Sequence, residues 1–488
     1  MNHPFRYAAA AFASGAAALA FGADALAGEA EDALIAKVVS AYGGDRLRNM
    51  KSIRINDVYK NAFPGQGYTS GYVEFTPLSQ DARIDLAGER GSVEGWSANW
   101  NFDTHTRQLS AGEEIVTVNY RDGTYQHATA PDFFSAFGIV YRVSDTLLAY
   151  QLAKSAQTAK AAGEENYLGR PHKLITFEMP QSPPLTLHVD AESGVISKMT
   201  RETAFGALTY LFSDHKTVGG VGYASSFEFF IGKDPNIITT SRNISVNTVR
   251  SNVFSVDRGI VEEPARVSQS EMTVDEIAEG VHLAGVGGAG AAAYTAFIDA
   301  GDHVIAVGGY AGLKARYDAY KDAVGHSKPI RYQIVTHHHT DHLGGMADAL
   351  ALGATFVSPA NAVENVSVAA GETPPADRLI VLDGEMTLGP VKIYDIATSH
   401  AESYALVYAP GAKVAFQADH YTGNYEGDTP TSAGVGAVTL KKAIDDLGLD
   451  VDILLSAHGR KAVPWAEFET AVENYDASPC PSGRAICG

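Results

Sequence analysis

Between positions 336 and 345 the chain reads Thr336-His337-His338-His339-Thr340-Asp341-His342-Leu343-Gly344-Gly345. Imidazole and carboxylate groups at this density suit zinc and related divalent metals. Alternate residues leaving a strand point the same way, so His337 and His339 are placed to clasp one ion while His338 points away from it. Asp341 and His342, one turn further on, are placed to face a second ion. Gly344 and Gly345 let the backbone pass close to the metals and begin the next helix.

A cluster of this kind needs a rigid base, and residues 330–335 read as a buried strand that runs straight into it. From about Met272 onward, short apolar runs such as 297–307, 330–336 and 355–358 alternate with helical patterns over 313–323 and after Gly345, which predicts α/β layers. Upstream the character differs. Leu34, Ile35, Val38, Val39 and Tyr42 form the stripe of an amphipathic helix over 31–42, stopped by Gly43 and Gly44. From about 51 to 252 alternation dominates, as in Ser52-Ile53-Arg54-Ile55, Ile115-Val116-Thr117-Val118 and Leu185-Thr186-Leu187-His188-Val189, with a helical stretch over 144–160. This predicts a largely antiparallel sheet with a few helices, and Glu262-Glu263-Pro264-Ala265 with the polar run to Ser270 reads as a linker.

The pattern Thr336-His337-x-His339-x-Asp341-His342-x-Gly344-Gly345 resembles the H-x-H-x-D-H signature of the metallo-β-lactamase superfamily, an αββα sandwich with metals at one sheet edge. The resemblance implies three further ligands in order. His400 follows the strand-like run 391–397 and matches the third histidine of the first metal; Asp419 ends the run Val414-Ala415-Phe416-Gln417-Ala418 and matches the aspartate bridging both metals. His458, in Leu454-Leu455-Ser456-Ala457-His458-Gly459, matches the last histidine of the second metal. The implied metal set is therefore His337, His339, His400, Asp341, His342, Asp419 and His458, with Asp341 also catalytic, orienting the nucleophile and passing a proton to the leaving group. Two Zn2+ per chain would share a water whose pKa falls towards ~7, giving a metal-bound hydroxide for attack on an ester, lactone, thioester, sulfate or phosphodiester. Spacing alone tolerates iron or manganese. The early strand that ends in aspartate in the family reads Val304-Ile305-Ala306-Val307-Gly308-Gly309 here, which leaves the support of the metal loop open. A bridging carboxylate at Asp419 disfavours β-lactam cleavage, since true β-lactamases of the fold lack it. The N-terminal region resembles the LolA-like lipoprotein-carrier domains, on its helix-plus-sheet pattern and on Gly219-Gly220-Val221-Gly222-Tyr223 before the strand-like 227–231. It then either binds a hydrophobic substrate or serves as a scaffold or dimerisation domain, and the scaffold is the favoured reading.

Composition bounds the remaining choices. A formal net charge of −20 repels phosphate backbones and excludes nucleic acid as a partner, although an acidic surface also simply disperses a protein. A small-molecule substrate, hydrophobic if the first region binds it, is the expected partner; composition leaves the oligomeric state open. Arg6, the apolar run 8–22 and Ala25-Leu26-Ala27 read as a secretory signal over 1–27, followed by domains at 28–265 and 272–473 and a tail at 474–488. The run is shorter than the ~20 residues of a spanning helix, and no later segment is long and apolar enough to span, so the expected location is periplasmic or secreted. In an oxidising compartment Cys480 and Cys487 are placed to form a disulfide that pins the tail. Two readings compete with the hydrolase. A mononuclear iron enzyme like the persulfide dioxygenases uses two histidines and one aspartate, which leaves His342 and His458 surplus. A periplasmic hydrophobic-ligand carrier leaves the whole ligand set without a task.

Overall fold

A computed structural model describes residues 20–98, 103–128, 130–203, 206–263, 271–287, 292–423 and 431–476. Cys480 and Cys487, most of the expected signal and most of the expected linker lie outside these residues. By its internal contacts the chain divides into two units, one of residues 1–51, 137–234 and 245–247, the other of 52–136, 235–244 and 248–488.

In the first unit the helix Ala20–Ala41 buries Ile35, Val38 and Val39 on one stripe, with Tyr42 buried just beyond its end. Gly43 ends the helix with a φ of 111°, and a side chain there would begin 2.2 Å from the Gly220 carbonyl oxygen. Six strands follow as an antiparallel meander, Lys160–Tyr167, Arg170–Phe177, Leu185–Asp190, Ile196–Thr203, Gly206–Val218 and Val221–Ile231, each paired with the next. The helix expected over 144–160 spans Asp145–Lys154, where Ser144 caps it by accepting the Leu147 N–H at 3.4 Å. Its Asp145 carboxylate is buried and accepts from the Tyr42 hydroxyl at 2.7 Å and the Ala224 N–H at 2.9 Å, tying helix, helix and strand at one point.

The second unit begins with another antiparallel run, Ser52–Phe63, Glu74–Asp85, Arg90–Ala98, Asp103–Ala111, Glu114–Asn119 and Thr124–His127. Val261–Glu262, at the start of the expected linker, joins its last strand in parallel. Two mixed sheets come next. The first orders Thr273–Ala278, Val281–Val286, Ala293–Asp299, Val304–Val307, Ile330–Ile334, Thr355–Pro359 and Leu379–Leu382, antiparallel up to Val304–Val307 and parallel thereafter. Parallel neighbours need crossovers, and the helices Leu313–Val324 and Met346–Ala351 supply two of them. The second sheet orders Glu385–Leu388, Val391–Ile396, Tyr404–Ala409, Val414–Gln417, Ile453–Ser456 and Val463–Pro464.

One apolar cluster joins both sheets, with Leu283, Ile305, Val307 and Ile334 from the first meeting Ile393, Val407, Phe416 and Leu455 from the second. Leu440 and Ile444 of the helix Val435–Asp446 and Phe468 of Trp465–Glu473 belong to the same cluster. The opposite face of the first sheet, Phe297, Val304, Ala306 and Phe356, packs under Leu313, Tyr317, Tyr320, Met346 and Val366. Every residue of Val304–Val307, Tyr404–Ala409 and Val414–Gln417 is buried, as strands covered on both faces require. Of these, Val414–Gln417 leads to Asp419, and the other members of the histidine and aspartate cluster follow Ile330–Ile334, Val391–Ile396 and Ile453–Ser456. Among the described residues no helix is long and apolar enough to cross a membrane.

Candidate metal centre

Two residues separate the end of Ile330–Ile334 from His337, three separate Val391–Ile396 from His400, one separates Val414–Gln417 from Asp419, and one separates Ile453–Ser456 from His458. Side chains far apart in sequence therefore converge because strand ends converge. His337, His339, His400 and Asp419 form one group of donor atoms, and Asp341, His342 and His458 a second, with the atoms of each group within 4.8 Å of one another. All seven residues singled out in the sequence are in these two groups. His338 and His420 are in neither: His338 turns its Nε2 to the Gly67 carbonyl at 2.9 Å, and His420 turns its Nε2 to Thr398 Oγ1 at 2.8 Å.

Asp419 lies between the groups. Its Oδ2 is 3.1 Å from His337 Nε2, 2.9 Å from His400 Nε2 and 2.9 Å from His342 Nε2, while its Oδ1 is 2.8 Å from His458 Nε2. Burial works to raise its pKa, but His342, His337 and His400 outweigh burial and hold the carboxylate well below its usual range. Burial, with His339 and His342 adding to it, lowers His337 far below an ordinary histidine; burial and the neighbouring His400 lower His339 to about 3. Both are neutral at pH 7 and offer lone pairs. The groups differ in access, for His337 and His339 are sealed, whereas the side chains of Asp341 and His458 are 37% and 39% exposed. A closed position beside an open one is the arrangement that catalytic metal sites use to admit a reactant.

The donor chemistry fits a metal. His337 Nε2 and His400 Nε2 stand 3.1 Å apart with the same carboxylate oxygen beside each, a packing of lone pairs that a shared cation relieves. His339 Nε2 lies 3.0 Å from the Gly67 carbonyl, which can only accept, so the ring proton is on Nε2. Its Nδ1 is then a bare lone pair, buried and without a hydrogen-bond partner. Leaving such an acceptor unmet costs about 1–3 kcal/mol, and a cation removes that cost.

Four residues not singled out in the sequence complete the surroundings. The Tyr404 hydroxyl accepts from the Ala418 and Asp419 N–H groups, and its ring stacks on His337 at 4.9 Å between centroids. The Tyr310 hydroxyl donates to Asp341 Oδ2 at 3.2 Å and is 2.6 Å from His458 Nε2. Burial, with Asp419 and Asp341 near it, keeps this phenol protonated, far above its ordinary range. Tyr310 directly follows the Gly308-Gly309 pair at which the chain departs from the family pattern, and that departure was the one signal pointing to it. Gln66 and Gly67 had none. Arg460, next to the last motif, pairs with Asp275 at 2.6 Å, and the Tyr421 hydroxyl donates to the Thr431 carbonyl at 2.9 Å.

No family model matches the chain, and no curated protein matches it. Solved structures do. A metallo-β-lactamase of Hirschia baltica is 18% identical with a TM-score of 0.34, over 41% of this chain and 96% of that one. A metallo-β-lactamase of Pseudomonas aeruginosa in its mono-zinc form is 18% identical with a TM-score of 0.33, over 43% and 96%. A stereoselective inverting sec-alkylsulfatase of a Pseudomonas species is 15% identical with a TM-score of 0.32, over 41% and 40%.

Proposed function

We propose that the protein is an exported metal-dependent hydrolase of small molecules, built on an αββα sandwich and carrying two zinc ions. The observation that supports this best is Asp419, one carboxylate whose two oxygens face different histidines of two adjoining donor groups. In this reading His337, His339 and His400 hold one ion, Asp341, His342 and His458 hold the other, and Asp419 serves both. Bound there, divalent ions supply Lewis acidity and lower the pKa of water. The rest falls to the chain. Burial works to raise the Asp341 pKa, but His342, Gln66 and His458 overcome it and keep the group ionised, so it is fitted to accept a proton from water and release it to a leaving group. Tyr310 holds one of its oxygens still, and the exposed faces of Asp341 and His458 mark the side from which an ester, lactone, thioester, sulfate or phosphodiester approaches.

The test is metal content per chain on purified protein, with His339→Ala and Asp419→Ala beside the wild type. About two zinc ions in the wild type and clear loss in both variants are expected, with turnover of an ester or lactone exceeding that of any β-lactam. One iron per chain with oxygen consumption would select the dioxygenase-like alternative. Full metal with no turnover of any scissile class would select the carrier.

A further inference from the structure

The hairpin loop between Ser52–Phe63 and Glu74–Asp85, residues 64–73, belongs by sequence to the strand-rich first half, yet it lies on the metal groups. Gln66 Nε2 donates to Asp341 Oδ1 at 2.7 Å. The Gly67 carbonyl accepts from His338 Nε2 at 2.9 Å and His339 Nε2 at 3.0 Å. The backbones interlock as well, with the Thr340 N–H donating to the Gly65 carbonyl at 3.2 Å and the Glu402 N–H to the Tyr68 carbonyl at 3.2 Å. Ser70 reaches Asn365 at 2.8 Å and Thr69 reaches Glu402 at 3.2 Å. Gly65 permits the approach: its φ is 70°, and a Cβ there would stand 2.6 Å from Thr340 Cγ2.

We propose that this loop is a working part of the metal centre, with Gln66 as a positioning residue for Asp341 and the Gly67 carbonyl as the group that fixes the His339 tautomer. The inference rests on the metallohydrolase reading and deepens it. Each of the two donor groups has one member held from the same loop, Asp341 through a side chain and His339 through a carbonyl. A carboxylate ligand must present one oxygen to the metal while its other oxygen is satisfied. Gln66 satisfies Oδ1 and Tyr310 faces Oδ2, so the Asp341 carboxylate is fixed in rotation. For His339, a proton held on Nε2 by an acceptor-only partner guarantees that Nδ1 is the free donor. Such partners behind a ligand are worth ~10–100-fold in metal affinity.

The experiment titrates metal-free wild type, Gln66→Ala and Gln66→Glu with Zn2+ against a chromophoric chelator, and records the unfolding temperature of each metal-free form. Gln66→Glu keeps the shape, removes the donor and sets a second carboxylate against Asp341. The expected result is two Zn2+ sites in the wild type and, in both variants, one site unchanged and the other weakened by ~10-fold or more. Turnover of the best ester should fall in kcat with KM held within about two-fold, the pattern of a group that orients a reacting residue. A wild type with two sites and variants that bind as it does would overturn the inference and leave the metallohydrolase reading standing. Lower unfolding temperatures of the metal-free variants with unchanged Zn2+ affinity would overturn it too, by showing a purely structural loop. A wild type that takes up no ion would overturn both.

Discussion

Tyr310 and Asp190 show how single residues carry measurable weight in each unit. The Tyr310 hydroxyl bonds the Asp341 carboxylate, an interaction worth about 1.5–3 kcal/mol, and also meets His458. Tyr310→Phe should therefore lower kcat by ~10-fold with zinc content unchanged; steady-state kinetics with elemental analysis checks this, and a change below two-fold would sink it. In the first unit, burial tends to raise the Asp190 pKa, but the Ser193 N–H and hydroxyl and the Arg170 guanidinium overcome it and hold the carboxylate well below its usual range. A carboxylate lowered in the folded state adds stability above its unfolded pKa, and that stability is lost as pH falls through the folded value. Asp190→Asn should thus destabilise at pH 7 by about 1–3 kcal/mol, and the gap to the wild type should narrow as pH falls below the ordinary carboxylate range towards the depressed folded value, as denaturant titrations at pH 7 and in progressively stronger acid would read. The seven clustered residues were legible because they follow in order, at or just past the ends of four apolar runs. Gln66 was not, since 275 positions separate it from Asp341 and an isolated glutamine in a Gly-rich turn carries no mark of its partner.

The elements were legible in proportion to how local their causes are. Alternation located Ser52–Phe63, Glu114–Asn119 and Leu185–Asp190, because a strand with one face buried writes period two into its sequence. The helix after Ser144 was expected to reach 160 but stops at Lys154, and Lys160–Tyr167 instead pairs with Arg170–Phe177, a tertiary contact that the local pattern does not encode. The glycines after His342 do begin the next helix, Met346–Ala351, which Gly345 directly precedes, and they have a further task. A Cβ on Gly344 would stand 2.8 Å from the Ala311 nitrogen, and one on Gly345 2.5 Å from the Tyr310 carbonyl oxygen, so they make room for the segment that carries Tyr310. Both close atoms belong to backbone and cannot rotate away. Gly345→Ala should push the two segments apart, costing about 1–3 kcal/mol in stability and weakening zinc binding together with it. Retained zinc affinity in a destabilised Gly345→Ala protein would show that the glycine matters for packing alone.

At the scale of the whole chain, two contact units imply two cores. In the first, Phe177, Leu187, Val189, Met199 and Tyr210 of the meander and Leu147, Leu148 and Leu152 of the helix Asp145–Lys154 are all buried, an apolar face already filled, which supports the scaffold over the carrier for that part. Ligands that bind only the folded state stabilise it by mass action, and all seven candidate ligands lie in the second unit. Calorimetry should accordingly resolve two unfolding transitions, of which chelator lowers one and leaves the other in place; a chelator that moves both, or neither, contradicts this. The division was hard to read in advance because residues 52–136 look like their strand-rich neighbours while their contacts place them with the metal groups. The loop on Asp341 also has a consequence for biogenesis. Gln66 leaves the ribosome before its partners, Asp341 follows 275 residues later, and His458 comes later still. The ion pocket can close only once all three have been made, so nascent chains that stop short of His458 and fragments beginning at Met272 should be unable to retain zinc as the full chain does.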